Sequence, residues 1–288
     1  MPIYDQGDQR WNGELQRHPA RWWPIVRQGV WQFLPQRKYL TLIGLAFLNP
    51  IFSGATLFTR LKGADILESV LGRGGFDAGP AFYWSMMSRQ SLWVVLFTIM
   101  VGADLVSSDR RFKALQLYFS KPITPNDYIV GKLGVIATFQ LMVLWVPTML
   151  LWLFGMMIEP SKAYVGAIWY VPLVATLYCA VMILVSGLMM LTASSIGQRT
   201  VYIAGAWFIF FGYGPFRGVA QIMKSLSDSE YWGLLSIESN VGMFGAWLFG
   251  GDLPHEFHPM VSLLWLLLVS VGCYVLLRRR IRPVEVVL

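Results

Sequence analysis

His255-Glu256-Phe257-His258 sets two imidazoles three residues apart beside a carboxylate, which is half of a metal-ligand set. Such a pair needs further ligands to hold a metal. Glu238 and Asp252 are near in sequence, but Pro254 and Pro259 interrupt any helix that would align them. The motif therefore reads as an exposed loop. Cys179 and Cys273 each lie inside an apolar run without a second thiol at metal or redox spacing, and read as small buried hydrophobes. Gly131-Lys132 resembles the close of a phosphate-cradling loop, yet Asn126 stands where the leading glycine belongs and Leu133 follows the lysine. No Ser-His-Asp or Cys-His pattern is visible. One acid, Asp104, lies within an apolar stretch, where charge is expensive and marks function by default. It is about a turn from a charged segment. Two readings stay open for it: an ion pair with Arg110, Arg111 or Arg199, and a substrate or gating role. The expectation is a protein that is not an enzyme, with no catalytic residue, no metal and no cofactor of its own.

The elements that would carry these residues follow from composition. Of 288 residues, 56% are hydrophobic and 14% charged, against about a quarter charged in soluble domains. The mean hydropathy is +0.52. Long apolar runs without period-2 alternation exclude a membrane barrel and predict an all-α polytopic membrane protein. Six spans are expected: Tyr39–Phe58, Ser91–Ser107, Ile129–Met157, Ile168–Ile196, Thr200–Met223 and Pro259–Leu277. The third and fourth exceed the minimum and should tilt or project. Asn49-Pro50, Pro147 and Pro172 predict kinks, and Gly-Pro in the FFGYGPF run from Phe210 predicts a helix break. Gly187 and Ser194–Gly197 should allow close helix contact.

Basic residues orient the bundle. Arg10, Arg17, Arg21, Arg27, Arg37 and Lys38 precede the first span, and Arg110, Arg111, Lys113, Lys121 and Lys132 lie between the second and third. Arg199 and the Arg278–Arg282 tail complete that side, leaving seven of the 23 Lys+Arg on the other. This places both termini in the cytoplasm. The +7 charge then marks a face for anionic membrane lipid, not for nucleic acid. A single domain is expected: residues 1–38 cytoplasmic with an interfacial helix, 39–277 the six-span bundle, and 278–288 a basic cytoplasmic tail. Without an apolar leader, the first span would be its own targeting signal. Trp22, Trp23, Val26, Val30, Phe33 and Leu34 share one face of the interfacial helix, between Pro24 and Pro35. Two long outer loops are expected, about Thr59–Gln90 and Lys224–His258. The second holds GMFGAWLFGG, apolar but too short to span, hence re-entrant or interfacial.

The segment Ser108–Lys132 is the most specified polar stretch. Asp109–Ser120 has helical potential, with Phe112, Leu115 and Phe119 on one face. Pro122 ends that helix. Thr124 can cap a second, with Pro125 at its first position and Asp127 completing the box. A lipid anchor needs only charge. Two helices with a rigid elbow suit a docking surface.

The same segment resembles the cytoplasmic signature of ABC-2-type exporter permeases. In that family an acid near the end of span two leads into a short helix, a Ser-x-Pro-(Ile/Val) turn and a Gly-Lys pair opening span three. Asp109, Leu115, Leu117, Ser120, Pro122, Ile123, Tyr128, Gly131 and Lys132 match, while Lys113-Ala114 stands where the family usually has Gly-Thr. The six-span layout, the interfacial helix and the apolar loop before the last span are similar too. The resemblance implies the transport subunit of an ABC exporter in a bacterial cytoplasmic (inner) membrane, coupling ATP hydrolysis to translocation. The ATP would be bound by a separate ATPase subunit, and a second permease subunit, the same chain or another, would complete the assembly. Asp109, Arg110, Arg111, Lys113 and the matching residues would form the ATPase-coupling loop. Two alternatives remain: a non-transporting ABC-type subunit of an assembly or motility complex, and an intramembrane enzyme, for which Asp104 alone is placed.

Overall fold

The computed structural model describes residues 20–63, 78–119, 123–197, 199–211, 215–227 and 229–281, and every regular element among them is helical. Helix α1 (Trp23–Phe33) precedes α2 (Arg37–Ala46) and α3 (Leu48–Lys62), which abut at Phe47. That break falls just before Asn49-Pro50, because Pro50 lacks the donor that would continue the ladder. α4 (Pro80–Arg111) is 32 residues long, about 48 Å. It starts eleven residues before the expected Ser91, since Pro80 suits a first helical turn; part of the expected outer loop is thus helix, and residues 64–77 lie outside the described residues.

α5 (Ala114–Phe119) and α6 (Pro125–Gln140) follow. α6 passes through a π-helical turn, Leu141–Trp145, into α7 (Val146–Ile158), with Pro147 in the first turn of α7. After α8 (Lys162–Ile168), α9 (Val171–Met182) begins around Pro172, and a second π-helical turn, Ile183–Gly187, leads into α10 (Leu188–Ile196). Both prolines stand where a ladder donor is dispensable. Pro147 follows a π-helical turn, and Pro172 follows the turn that separates α8 from α9.

Five stretches are long and apolar enough to cross a bilayer: Arg37–Lys62, Pro80–Arg111, Pro125–Ile158, Lys162–Ile196 and Pro259–Arg280, the last being α14. The fifth expected span, Thr200–Met223, is described only in part, as α11 (Thr200–Phe211) and the start of α12 (Pro215–Ser227). Pro215 opens α12, and residues 212–214 lie outside the described residues. A 3₁₀ turn, Glu230–Leu235, leads to α13 (Ile237–Phe249), which ends at Gly250 in the left-handed conformation (φ 66°). α13 contains most of the GMFGAWLFGG stretch. At about 20 Å it is too short to span, and it packs its Val241, Met243, Phe244, Ala246 and Phe249 inward against α4, α9 and α14.

One end of the bundle gathers the residues that the positive charge assigns to a single side. The Asn126 amide oxygen at the start of α6 accepts from the Tyr274 hydroxyl near the end of α14 (2.9 Å). The hydroxyl of Thr200, opening α11, donates to Asp104 near the end of α4. The basic C-terminus of α14, Arg278–Arg280, lies at this same end. Close contact between α10 and its neighbours uses the small residues the sequence singles out. A Cβ on Gly187 would fall 2.5 Å from Leu133. Ser194 lies flush on α4, its hydroxyl donating to Ala103 O (2.7 Å) and accepting from Ser107 N (3.0 Å).

Candidate functional site

Asp109, in the last turn of α4, is the hub of the elbow. Its Oδ2 accepts from Lys132 Nζ at 2.6 Å and from the Tyr128 hydroxyl at 2.7 Å. Both donors come from α6. The capping box starts that helix where the sequence places it: Thr124 Oγ1 accepts from Asp127 N (3.2 Å), and Asp127 Oδ2 accepts from Thr124 N (3.0 Å). Counting from this fixed start, Tyr128 and Lys132 are four apart and share a face. The Lys132 and Asp109 side chains retain 9% and 14% exposure. Lys132 Nζ also lies 5.6 Å and 5.4 Å from the ring centroids of Tyr118 and Tyr128, which meet edge to face at 5.3 Å. Tyr118 comes from α5. Burial, and then the Asp109 carboxylate, push its phenol above the ordinary value, so it stays protonated. One ion pair thus ties together the end of α4, the short α5 and the start of α6.

The short helix differs from expectation in start and face. Asp109–Arg111 continue α4, and the chain breaks at Phe112-Lys113, so the helix begins at Ala114 rather than Asp109. The cause is Lys113, whose φ of 56° lies in the left-handed region, costly for a residue with a Cβ. This is where the resembling family has glycine, the residue for which that conformation costs least. Leu115 and Tyr118 pack on the core, whereas of the expected Phe112, Leu115 and Phe119 face, Phe112 is exposed and the Phe119 side chain lies outside those described. Phe112 and Leu117 are 71% and 70% exposed, with Arg110, Arg111, Lys113 and Gln116 exposed around them. Ser120 and Pro122, and with them the expected end of the helix, lie outside the described residues. Ile123 is half-buried just ahead of Thr124.

Gly131 is explained by α1. A Cβ there would fall 2.8 Å from Ile25 Cβ, and one on Gly134 would fall 2.6 Å from Val26. Gly29 meets Val135 in the same way, and the Phe33 and Phe139 rings lie 6.4 Å apart. Ile25, Gly29 and Phe33 therefore meet Gly131, Val135 and Phe139 at one constant offset. α1 runs parallel to α6, which differs from a helix lying flat in the interface plane. The physical reason is the glycines, which let two helices approach along their length. Trp23 and Trp31 consequently face outward.

Asp104 has a different partner from those expected. Among the described residues no cation pairs with it; its Oδ1 accepts from Thr200. Arg110 instead donates to the Ser195 carbonyl on α10. The Tyr39 hydroxyl donates to Met100 O (3.1 Å), so the Arg37-Lys38 start of the first crossing stands level with Met100. Asp104 lies one turn beyond that level, at the charged end of the bundle.

Three polar groups escape a reading by motif. Gln140, fully buried, donates to Thr98 Oγ1 (2.6 Å) and Ser186 Oγ (2.8 Å), which brings the two π-helical turns together. Gln90, also buried, donates to Ala46 O (2.9 Å) and Val143 O (3.0 Å) and accepts from Asn49 (2.8 Å). Two glutamines inside or beside apolar runs were the available signal. The third group is the cluster before α14. His255 Nε2 is 2.8 Å from Ser239 Oγ, His255 Nδ1 is 3.6 Å from Glu230, and Arg217 is 3.6 Å from Glu238. His258, by contrast, caps α14 through Met260 N (3.2 Å). The two histidines of the motif thus serve separate structures.

A helical bundle with five stretches long and apolar enough to cross a bilayer, its buried amide side chains donating hydrogen bonds within the bundle, is a polytopic membrane protein. No protein-family model matches the chain, and no curated protein matches it.

Proposed function

We propose that the chain is the membrane-spanning permease subunit of an ABC-type exporter, receiving force at the α4–α6 elbow from a separate ATPase subunit. The observation that carries this reading is the Asp109–Lys132–Tyr128 lock, which makes the exposed α5 a rigid lever on two spanning helices. A displacement of α5 would be passed to α4 and α6 through the Tyr118 ring, which packs against Tyr128 and the Lys132 ammonium of the ion pair. Coupling further requires that ATP binding favour one position of that lever over another. Phe112 and Leu117 would seat in the partner, with Lys113 and Arg111 at the rim.

The reading includes a sixth crossing within Thr200–Met223, both termini in the cytoplasm, a bacterial inner membrane and a second permease subunit. A path between two permeases that lacks fixed charge at mid-membrane would suit an amphipathic or apolar substrate. The test is purification in mild detergent with the ATPase subunit, followed by ATP hydrolysis in proteoliposomes. Leu117→Asp is expected to abolish co-purification and hydrolysis while insertion and the melting profile stay unchanged. Hydrolysis unaffected by Leu117→Asp sinks the lever. Hydrolysis that depends on Leu117 with no solute flux would favour a non-transporting subunit of an assembly or motility complex.

A further inference from the structure

Beside the lever, and independent of the exporter reading, lies a cavity of about 350 Å³ lined by Arg111, Arg199, Thr200, Val201 and Tyr202. It sits between the end of α4 and the start of α11. Both guanidiniums are without a carboxylate partner among the described residues. Each is held instead over an aromatic ring: Arg111 over Phe112 at 4.8 Å and Arg199 over Tyr202 at 6.0 Å. Such stacking orients a guanidinium edge for a bidentate oxyanion without neutralising it. The acid of this region, Asp104, is occupied by Thr200.

The wall of the cavity is continuous with an apolar face. Val201 and Tyr202 are 78% and 69% exposed, and Gly205 and Ala206 continue the same side of α11 one turn on. A charged slot opening onto an apolar helix face, at the level where the spanning helices acquire their arginines, has the chemistry of a lipid phosphate with its acyl chain alongside. A soluble anion would use the slot and leave the face uncovered.

The geometry points to a binding site for the phosphate of an anionic phospholipid between Arg111 and Arg199, its acyl chain lying on the Val201–Ala206 face of α11. Because Arg111 immediately precedes the Phe112-Lys113 break, a lipid held there anchors the root of the elbow to the membrane surface.

The full chain in nanodiscs, stripped and then titrated with phosphatidylglycerol or with phosphatidylcholine of the same acyl chains, tests this by counting retained lipids in native mass spectrometry. Wild type should hold phosphatidylglycerol in preference to phosphatidylcholine. Each guanidinium should contribute about fivefold and the pair about thirtyfold in affinity, lost in Arg111→Gln/Arg199→Gln. The equally charge-depleted Arg278→Gln/Arg279→Gln should retain the lipid. Equal loss in both pairs would reduce the effect to diffuse surface charge and overturn the site. Inorganic phosphate that binds saturably, with no preference for phosphatidylglycerol, would replace the lipid by a soluble anion. Should the first pair fail to fold, wild type photolabelled with a diazirine-bearing phosphatidylglycerol decides the matter. Labels at 111–112 and 199–206 support the site, and labels spread around the bundle overturn it.

Discussion

The elbow and the cluster before α14 are both built from charged side chains near an end of a helix, yet they are assembled to opposite effect. At the elbow, one carboxylate oxygen collects two donors at 2.6 Å and 2.7 Å, and aromatic rings close over the ammonium. In the cluster Lys224 pairs closely with Glu230 Oε1, but His255–Glu230 and Arg217–Glu238 stand 3.6 Å apart. Glu230 Oε2, Glu238 Oε2 and His255 Nδ1 are buried without a hydrogen bond among the described residues. A buried charge with its donors in place resists rearrangement, whereas under-satisfied groups are already part-way to another state. The first arrangement suits transmitting force. The second suits responding to protons.

The largest expected effect strikes the elbow. Lys132→Met leaves Asp109 buried without its counter-charge, and the loss of one partner from such a pair costs about 3–5 kcal/mol. Unfolding of the purified chain in mixed micelles should show it as a large drop in midpoint. The double variant Asp109→Leu/Lys132→Met removes both charges and should recover most of that loss. A single variant that costs under about 1 kcal/mol would mean that water reaches the pair, and the contrast between the two regions would disappear.

A smaller effect concerns the support behind the lock. Gly131→Ala puts a methyl 2.8 Å from Ile25 Cβ, and overpacking of this kind costs about 1–3 kcal/mol. Ile25→Ala in the same chain should return part of it by reopening the space. Failure of that rescue would argue that α1 does not lie along α6. Smaller again is Lys113→Gly. It relieves the left-handed residue at the α4–α5 break, while glycine adds freedom to the unfolded chain, so the net gain is about 1 kcal/mol or less. A loss of stability would show that the Lys113 side chain has a role its backbone does not reveal.

What the sequence discloses here depends on range. The Thr124-Pro125-Asp127 cap is legible because every bond in it joins residues within three positions. Asp109, Tyr128 and Lys132 are identifiable as a group only through a family pattern, since nothing local says that a carboxylate ending one helix meets an ammonium 23 residues on. The start of the short helix is misread because Lys113 has ordinary helix propensity, and nothing in its residue type announces a left-handed backbone. Asp104 shows the limit of charge arithmetic. Two of the three expected arginines are near in sequence, and a threonine hydroxyl takes the place instead.

The weakest expected effect lies in the cluster, and its sign follows from two opposed shifts. Burial pushes the His255 imidazole below its ordinary value, against the pull of Glu230. The unfolded chain then binds the proton more readily than the folded one. Stability from His255 is complete above its ordinary value of 6.5 and is lost as pH falls through the lower folded value. Burial also pushes the Glu238 carboxyl up, with Arg217 opposing. Its contribution is complete below 4.5 and is lost as pH rises through the raised folded value, so acidification strengthens it. Melting of wild type between pH 7.5 and 5.5 therefore mixes a loss and a gain. His255→Gln should flatten the acid-side loss, and Glu238→Gln should deepen it. Hydrogen exchange over Glu230–Phe257 should follow the same order while the elbow stays protected at every pH. If exchange at the elbow rose with acid as well, the loose cluster and the tight lock would be parts of one cooperative unit, and the contrast in their geometry would carry no contrast in behaviour.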